Sequence, residues 1–191
     1  MSNRPVFPRL DTPRLVLREI VERDLPIIAT LANDVDIAGN TLNIPYPYSE
    51  ADAVAWRVLA QQGFRLGSAF TFAIELKQTQ TFIGSIGMQV EKRFDRAEVG
   101  YWLSKPYWNQ GLVTEALTEV LRFGFEELSL NKIFATHLAH NVASGRVMLK
   151  NGMRKEGELV QHVKREAQYY DLWQYRLTRQ EYEQLTKGEQ H

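Results

Sequence analysis

Glu98-Val-Gly-Tyr-Trp-Leu-Ser-Lys-Pro-Tyr-Trp-Asn-Gln-Gly-Leu-Val-Thr-Glu-Ala-Leu117 is the stretch of sequence that decides the fold. Residues 98–103 predict a strand, Pro106 to Gly111 predict a turn, and an amphipathic helix follows directly. The first backbone N–H groups of a helix have no partner inside it, and the helix dipole makes that end positive. The stretch therefore predicts a loop whose amides can receive an anion such as a pyrophosphate.

An anion site alone does not identify a function. The loop lacks the Gly-Lys-Ser/Thr of a Walker nucleotide site, and G-x-G-x-x-G, which marks a dinucleotide site, is absent. A plain strand-to-helix turn with one glycine explains the same residues. At this level both interpretations stay open.

The elements around this stretch predict the rest of the fold. Alternation in Arg14–Glu19 predicts a strand, and Glu22–Asn33 is helical in character. Three further strands with short connections indicate an antiparallel meander; they are Ala69–Glu75, Phe82–Val90 and Ala97–Leu103. A helix face recurs from Val113 to Leu128, and Lys132–Leu138 is a strand.

The last part of the chain predicts a short helix, two strands and a final helix. Asn141 begins the short helix and Gly152 ends it, since glycine suits the left-handed position after a helix. Strands follow at Leu159–Lys164 and Tyr169–Leu177, and Thr178 caps the final helix. The order β-α-α-β-β-β-α-β-α-β-β-α predicts an α+β fold, with a mixed, mostly antiparallel central sheet flanked by helices. We expect one domain over residues 1–191, with a core of about 11–177.

A second region, between the first two predicted helices, has the composition of a binding loop. Asp34 to Tyr48 contains two prolines and two asparagines and predicts a loop, in which Tyr46 and Tyr48 could line a site. Ser49 then predicts an N-cap, and apolar residues repeat at helical spacing from Ala51 until Gly63.

Five motifs in order give the chain a family resemblance. The resemblance begins at Asp11–Arg18. The five motifs that follow it are Phe82-Ile-Gly-Ser-Ile-Gly87, Glu98–Leu103, Tyr107–Ala116, Asn141–Arg146 and Asn151–Gly157. With these residues the chain resembles the GNAT acyltransferase superfamily, in particular the RimJ/RimL-like branch of ribosomal-protein N-terminal acetyltransferases. The resemblance covers nearly the whole chain and implies the GNAT acyl-CoA N-acyltransferase fold.

The resemblance also implies acetyl-CoA as co-substrate and a set of residues that bind it. These residues are Tyr101, Trp102, Leu103, Trp108, Asn109, Gln110, Gly111, Leu112, Val113, Thr114, Asn141 and Arg146. The family's pyrophosphate loop usually reads Gln/Arg-x-x-Gly-x-Gly/Ala, whereas the outer positions here hold Trp108 and Val113. For Asn141 a capping role, and for Arg146 a solvated helix position, explain the residue equally well.

Two residues are candidates for catalysis in a direct transfer to an amine within a ternary complex. Glu98 is the candidate base, on a strand face shared with Gly100 and Trp102; the alternative is a strand-edge glutamate paired with Arg96 or another cation. The resemblance offers Ser144 as the acid that protonates the leaving thiolate. Position 148, where many superfamily members have tyrosine, holds methionine. As the third residue after Asn141, Ser144 is also an ordinary helix-start residue.

Composition excludes several classes of protein. The chain has 191 residues, 23 basic and 23 acidic, and no cysteine. Disulfides, thiolate metal sites and a cysteine nucleophile are therefore excluded, and a zero net charge does not favour a nucleic-acid partner. His137 and His140 would not share a strand face, so we expect no metal site.

The sequence thus predicts an N-acetyltransferase that acts on a primary amine. The preferred acceptor is a protein or peptide N-terminal α-amine. The alternatives are a small-molecule amine (an amino acid, polyamine or antibiotic) or a non-catalytic acetyl-CoA sensor. With neither a signal peptide nor an apolar span of membrane length, we expect a cytoplasmic protein without a membrane partner; a homodimer is compatible with the sequence.

Overall fold

A computed structural model of the chain describes residues 5–188. The strands are β1 (Leu10–Asp11), β2 (Leu15–Glu19), β3 (Ala69–Leu76), β4 (Thr81–Glu91), β5 (Arg96–Leu103), β6 (Lys132–Leu138), β7 (Arg154–Arg165) and β8 (Gln168–Thr178). The α-helices are α1 (Leu25–Ala32), α2 (Val35–Asn40), α3 (Glu50–Leu66), α4 (Leu112–Arg122), α5 (Val142–Lys150) and α6 (Arg179–Gly188).

The strands form one sheet in the order β1-β2-β3-β4-β5-β6-β8-β7. Every neighbouring pair is antiparallel except β5 and β6, which are parallel and are connected through α4. The predicted mixed, mostly antiparallel sheet with one β-α-β crossover is therefore confirmed.

The two faces of the sheet are covered by different helices. On one face, α4 packs its buried residues, among them Leu117 and Val120, into the main hydrophobic cluster with Met88 and Val99. On the opposite face, α1 and α3 contribute to a smaller cluster that includes Ala73 and is bordered by Trp102. Because side chains alternate along a strand, Val99 and Leu103 of β5 face the main cluster while Trp102 faces the smaller one.

Most predicted boundaries hold within a few residues, and two local predictions were wrong. The predicted loop 34–48 contains the short helix α2, because Asp34 caps it by accepting hydrogen bonds from the Asp36 and Ile37 amides at 2.8 and 3.3 Å. The strand predicted to begin at Leu159 begins at Arg154 instead, because pairing with β8 extends it. Ser49 caps α3 and Gly152 has a positive φ of 75°, as predicted.

The apolar stripe of α3 faces outward. Ala53 is the buried residue of this helix, while Val54, Val58 and Leu59 are exposed. The helix therefore presents an apolar surface to the groove described below and to solvent. None of the helices in the described part of the chain has the length and apolar character that crossing a membrane requires.

A buried ion cluster joins the start of α1 to the sheet. The Arg18 guanidinium donates to both carboxylate oxygens of Asp24, at 2.7 and 2.9 Å, and to Glu75 Oε2 at 2.7 Å. The side chains of Arg18, Asp24 and Glu75 are only 13%, 4% and 11% exposed. The cluster raises the pKa of Arg18, chiefly through the hydrogen bonds to Asp24, and keeps the guanidinium charged.

Replacing Arg18 with methionine should lower the free energy of unfolding by ~3–5 kcal/mol, because two buried carboxylates lose their cation. Urea unfolding followed by circular dichroism measures the change. Arg9→Met is the matched control, since the Arg9–Asp11 pair is exposed and should contribute no more than ~1 kcal/mol. Equal losses in both variants would contradict the assignment.

Candidate functional site

A groove of about 1450 Å³ lies across the end of the sheet where β5 and β6 separate. One part, the α5 arm, is lined by β5, the start of α4 and α5. The other part, the α3 arm, is lined by β3, β4, α3 and residues 40–48. The two arms meet beside Glu98, so the groove connects the two faces of the sheet.

The start of α4 forms the end of the α5 arm. Asn109 and Gly111 both have positive φ, 60° and 73°, and Gly111 is the N-cap residue. The first bond of the helix runs from the Glu115 amide to the Gly111 carbonyl at 3.0 Å, so the amides of residues 112–114 have no partner inside the helix. Both the geometry and the helix dipole suit an anion.

The start of α4 is held against the N-terminal strands by Glu115. Its carboxylate accepts from the Arg14 amide at 2.8 Å, from the Arg14 Nε at 2.6 Å and from the Thr12 hydroxyl. The Arg14 guanidinium also donates to the Gln110 carbonyl at 3.0 Å. Burial alone would raise the pKa of Glu115, but the hydrogen bonds from Thr12 and Arg14 outweigh it and lower that pKa.

Glu98 lies where the pairing of β5 and β6 ends. The last paired residues are Glu98 and Phe134, and beyond them the strands diverge. The Thr136 hydroxyl donates to Glu98 Oε1 at 2.9 Å across the beginning of the gap. Glu98, Gly100 and Trp102 alternate with the core residues Ala97, Val99 and Leu103 and thus lie on the α3 side of β5.

Tyr101 and Ser144 lie on the opposite side of the gap. The Tyr101 hydroxyl donates to the Ser144 carbonyl at 3.0 Å and lies 3.0 Å from Ser144 Oγ. Since the phenol has one proton, the Ser144 hydroxyl is free to be the donor in the second contact. Burial raises the pKa of Tyr101, which keeps the phenol protonated.

Asn141 caps α5 and connects it to α2. Its side-chain oxygen accepts from the Ser144 amide at 3.2 Å, and its side-chain nitrogen donates to the Asn40 carbonyl at 3.1 Å. The helix-start geometry expected for Asn141 and Ser144 is therefore present. Ser144 nevertheless also lines the groove, so the two roles that the sequence left open are compatible.

The structure brings together the predicted site residues along the groove, Tyr48 included, except for Gln110 and the exposed Tyr46. The Gln110 side chain instead donates to the Pro106 carbonyl at 2.9 Å. Trp108 donates through Nε1 to the Leu103 carbonyl at 2.6 Å, which braces the loop. Arg146 is exposed on α5 and lines the α5 arm.

Sequence reasoning missed several residues of the groove. Lys150 adds a second cation on α5, and Thr136 is the hydrogen-bond donor to Glu98. Lys150 follows Arg146 by one helical turn, which was the available signal. Thr136 could not be found, because its contact depends on the register of two strands that are distant in sequence.

The histidines near the groove have separate environments. His137 is buried and donates through Nδ1 to the Leu138 carbonyl at 2.8 Å, while His140 contacts the Gly39 carbonyl at 3.2 Å. Burial lowers the pKa of His137 and favours the neutral ring. Within residues 5–188, no group of three His, Asp or Glu side chains is arranged to hold a metal ion.

A comparison with known families gives one matching domain model. The model described as Acetyltransferase (GNAT) domain matches residues 14–154. That range runs from Arg14, which contacts the loop before α4 at Gln110, to the first residue of β7. It contains both Glu98 and Ser144.

Individual proteins and structures agree with this match. The N-acetyltransferase YoaA of Bacillus subtilis (strain 168) is 31% identical over 180 residues, covering 91% of this chain and 98% of that protein. The [ribosomal protein uS5]-alanine N-acetyltransferase of Escherichia coli (strain K12) is 26% identical over 181 residues, covering 89% and 90%. The solved structure of Mycobacterium smegmatis RimJ in complex with CoA-disulfide has a TM-score of 0.79 at 20% identity, covering 97% of this chain and 95% of that one.

Replacing Glu115 with glutamine should lower the free energy of unfolding at pH 7 by ~1.5–3 kcal/mol, the usual contribution of hydrogen bonds to a charged group. The pKa of Glu115 is lowered by folding, so its contribution is complete above the unfolded value of about 4.3 and is lost as the pH falls through the folded value. Urea unfolding at a series of pH values from 7 to 3 should show the two proteins converge at the acid end.

The control for this prediction is Glu127→Gln, which removes an exposed carboxylate from the turn after α4 and should change stability by ~1 kcal/mol or less. A difference between wild type and Glu115→Gln that stays constant down to pH 3 would contradict the proposed role of the charge.

Proposed function

The chain belongs to the GNAT acetyltransferase family, and from that premise we propose that it acetylates the N-terminal α-amine of a protein or peptide. The observation behind the proposal is the connected groove, which has an anion-binding loop in one arm and a single available carboxylate at the junction with the other. Family membership makes acetyl-coenzyme A the donor and an amine the acceptor.

The α5 arm fits the coenzyme in three respects. The free amides of residues 112–114 suit the pyrophosphate, and Arg146 and Lys150 add positive charge along the same arm. Beyond Glu98, the edge of β5 that faces β6 has no strand partner, so an extended arm with amide groups can bind along it as a strand would. When bound, acetyl-coenzyme A supplies the acetyl group as an activated thioester.

Glu98 and Ser144 are assigned the two proton transfers that the reaction requires. A carboxylate oxygen of Glu98 accepts the proton of the amine, directly or through a water, while Thr136 holds the other side of the carboxylate in place. The hydroxyl of Ser144 turns from Tyr101 to the leaving sulfur and gives it a proton, and solvent then reprotonates the serine oxygen. Tyr101, which stays bonded to the Ser144 carbonyl, holds the residue in position. The positions of Glu98 and Ser144 on opposite sides of the gap separate the acceptor side from the coenzyme side.

The charges of the groove favour an α-amine over a polycation. Among the described residues, Glu98 and Asp52 are the carboxylates that line the groove, and Asp52 already accepts two hydrogen bonds from Ser49 in the cap of α3. A polyamine or an aminoglycoside carries several ammonium groups, and each of the others would lack a carboxylate partner. A peptide presents one ammonium group followed by neutral amides, which this arm can accommodate.

Two expectations from the sequence concern the cellular location and the oligomeric state of the protein. The cytoplasmic location and the homodimer remain predictions, and neither enters the arguments above. The relatives that act on ribosomal proteins support a protein acceptor but do not identify which one.

Release of free thiol from acetyl-coenzyme A should be fastest with N-terminal peptides in a panel that also contains lysine peptides, polyamines and aminoglycosides. With such a peptide, Glu98→Gln should lower kcat/KM about 10²-fold at pH 7, the lower end of the ~10²–10⁴ range for general-base catalysis. The difference in kcat/KM between the wild type and Glu98→Gln should become smaller above pH ~8, because the α-amine is then mostly neutral and needs no base.

The control is Glu91→Gln, since Glu91 is an exposed residue of β4 paired with Arg96 and lies outside the groove. A polyamine as the fastest acceptor would refute the α-amine assignment. Coenzyme binding without thiol release from any amine would favour a sensor.

Ser144→Ala and Tyr101→Phe should each lower kcat by at least ~10-fold, and the double variant should be little slower than the slower single one. The reason is that residues acting as one unit have strongly non-additive effects. Steady-state kinetics of all four proteins measure the coupling. If the reduction of kcat in the double variant equals the product of the two single reductions, the two residues have independent roles.

A further inference from the structure

The floor of the α3 arm contains a row without large side chains. Cross-strand pairing places Thr71 of β3 opposite Gly87 of β4, and Gly87 opposite Gly100 of β5. All three residues line the groove. The row is flanked on one side by the pair Gln89–Glu98 and on the other by the pair Ser85–Trp102.

Neither glycine is required by its backbone conformation or by packing. The positive-φ glycines of residues 5–188 are Gly67, Gly111 and Gly152. A Cβ atom at Gly100 would have no heavy atom within 4 Å, and one at Gly87 would make only ordinary contacts, the nearest at 3.4 Å. By contrast, a Cβ at Gly84 would lie 2.4 Å from the Trp102 carbonyl oxygen, so packing explains that glycine.

The open space above Gly100 is adjacent to the candidate base. Residues two apart on a strand face the same side and are about 7 Å apart along it, so this recess begins one side-chain position from Glu98. A glycine inside a strand often marks a place where a ligand approaches the backbone closely. The recess is therefore positioned for the atoms attached to the amine that Glu98 deprotonates.

We propose that Gly87 and Gly100 form the floor on which the first residue of the acceptor lies, and that Gly100 sets the permitted size of the substituent next to the reacting amine. The proposal rests on the proposed function, since it places an α-amine at Glu98. It assigns to this chain a specificity-determining position that is distinct from the proton-transfer residues.

Gly100→Ala tests the proposal, with Gly157→Ala as the matched control. Gly157 is also a strand glycine whose added Cβ would meet nothing within 4 Å, but it lies on β7 outside the groove. Both variants should keep the thermal unfolding temperature and the calorimetric affinity for coenzyme A of the wild type. The probes are two peptides of identical sequence except for the first residue, which is glycine or alanine.

In Gly100→Ala, kcat/KM for the alanine-first peptide should fall ~10–200-fold, the usual discrimination for one misplaced methyl group. The fall should be clearly smaller for the glycine-first peptide, and Gly157→Ala should behave as wild type with both. An equal fall with both peptides, or no fall at all, would overturn the proposal.

Calorimetry with each peptide and the protein–coenzyme A complex separates this proposal from the proposed function. If the wild type releases no thiol with any amine, the proposed function fails. The proposed role of Gly87 and Gly100 as the floor is then tested by peptide binding alone. Binding of the alanine-first peptide that is lost in Gly100→Ala supports the floor. Binding that is unchanged in that variant, or absent in the wild type, overturns it.

Discussion

The parallel pairing of β5 with β6, which stops at Glu98 and Phe134, is the constraint on which the site depends. Up to that point the pairing keeps the sheet continuous, and beyond it the two strands diverge and leave backbone groups of β5 without a strand partner. Unpaired backbone groups must be satisfied by water or by a ligand. The fold thus creates a binding edge in the middle of a sheet.

The divergence also connects the two faces of the sheet. Alternation along β5 directs Tyr101 toward α5 and directs Glu98, Gly100 and Trp102 toward α3. In the proposed reaction, one short strand thus supplies both the coenzyme side and the acceptor side. The junction is braced by Thr136, whose hydroxyl spans the gap to Glu98.

Electrostatic interactions hold the walls of this groove at its two ends. Glu115 fixes the start of α4 through Thr12 and Arg14, and although it places a negative charge near the anion site, Arg14 neutralises it locally. Arg18 anchors the entry to α1 through two buried carboxylates. Glu115 is more than 100 residues from Thr12 and Arg14, and Glu75 is 57 residues from Arg18. Both contacts therefore attach the N-terminal segment to later parts of the chain.

The sequence by itself determined the elements, the β5-α4-β6 crossover and the loop at Gly111, because periodicity, turn residues and capping are local properties of the chain. It also singled out Glu98 and Ser144, through motifs that lie within single elements. The pairing of Thr136 with Glu98 and the recess at Gly87 and Gly100 were decided only by the tertiary structure. These features depend on strand register and on which face of α3 is buried, and both are set by contacts between distant segments that no local pattern encodes.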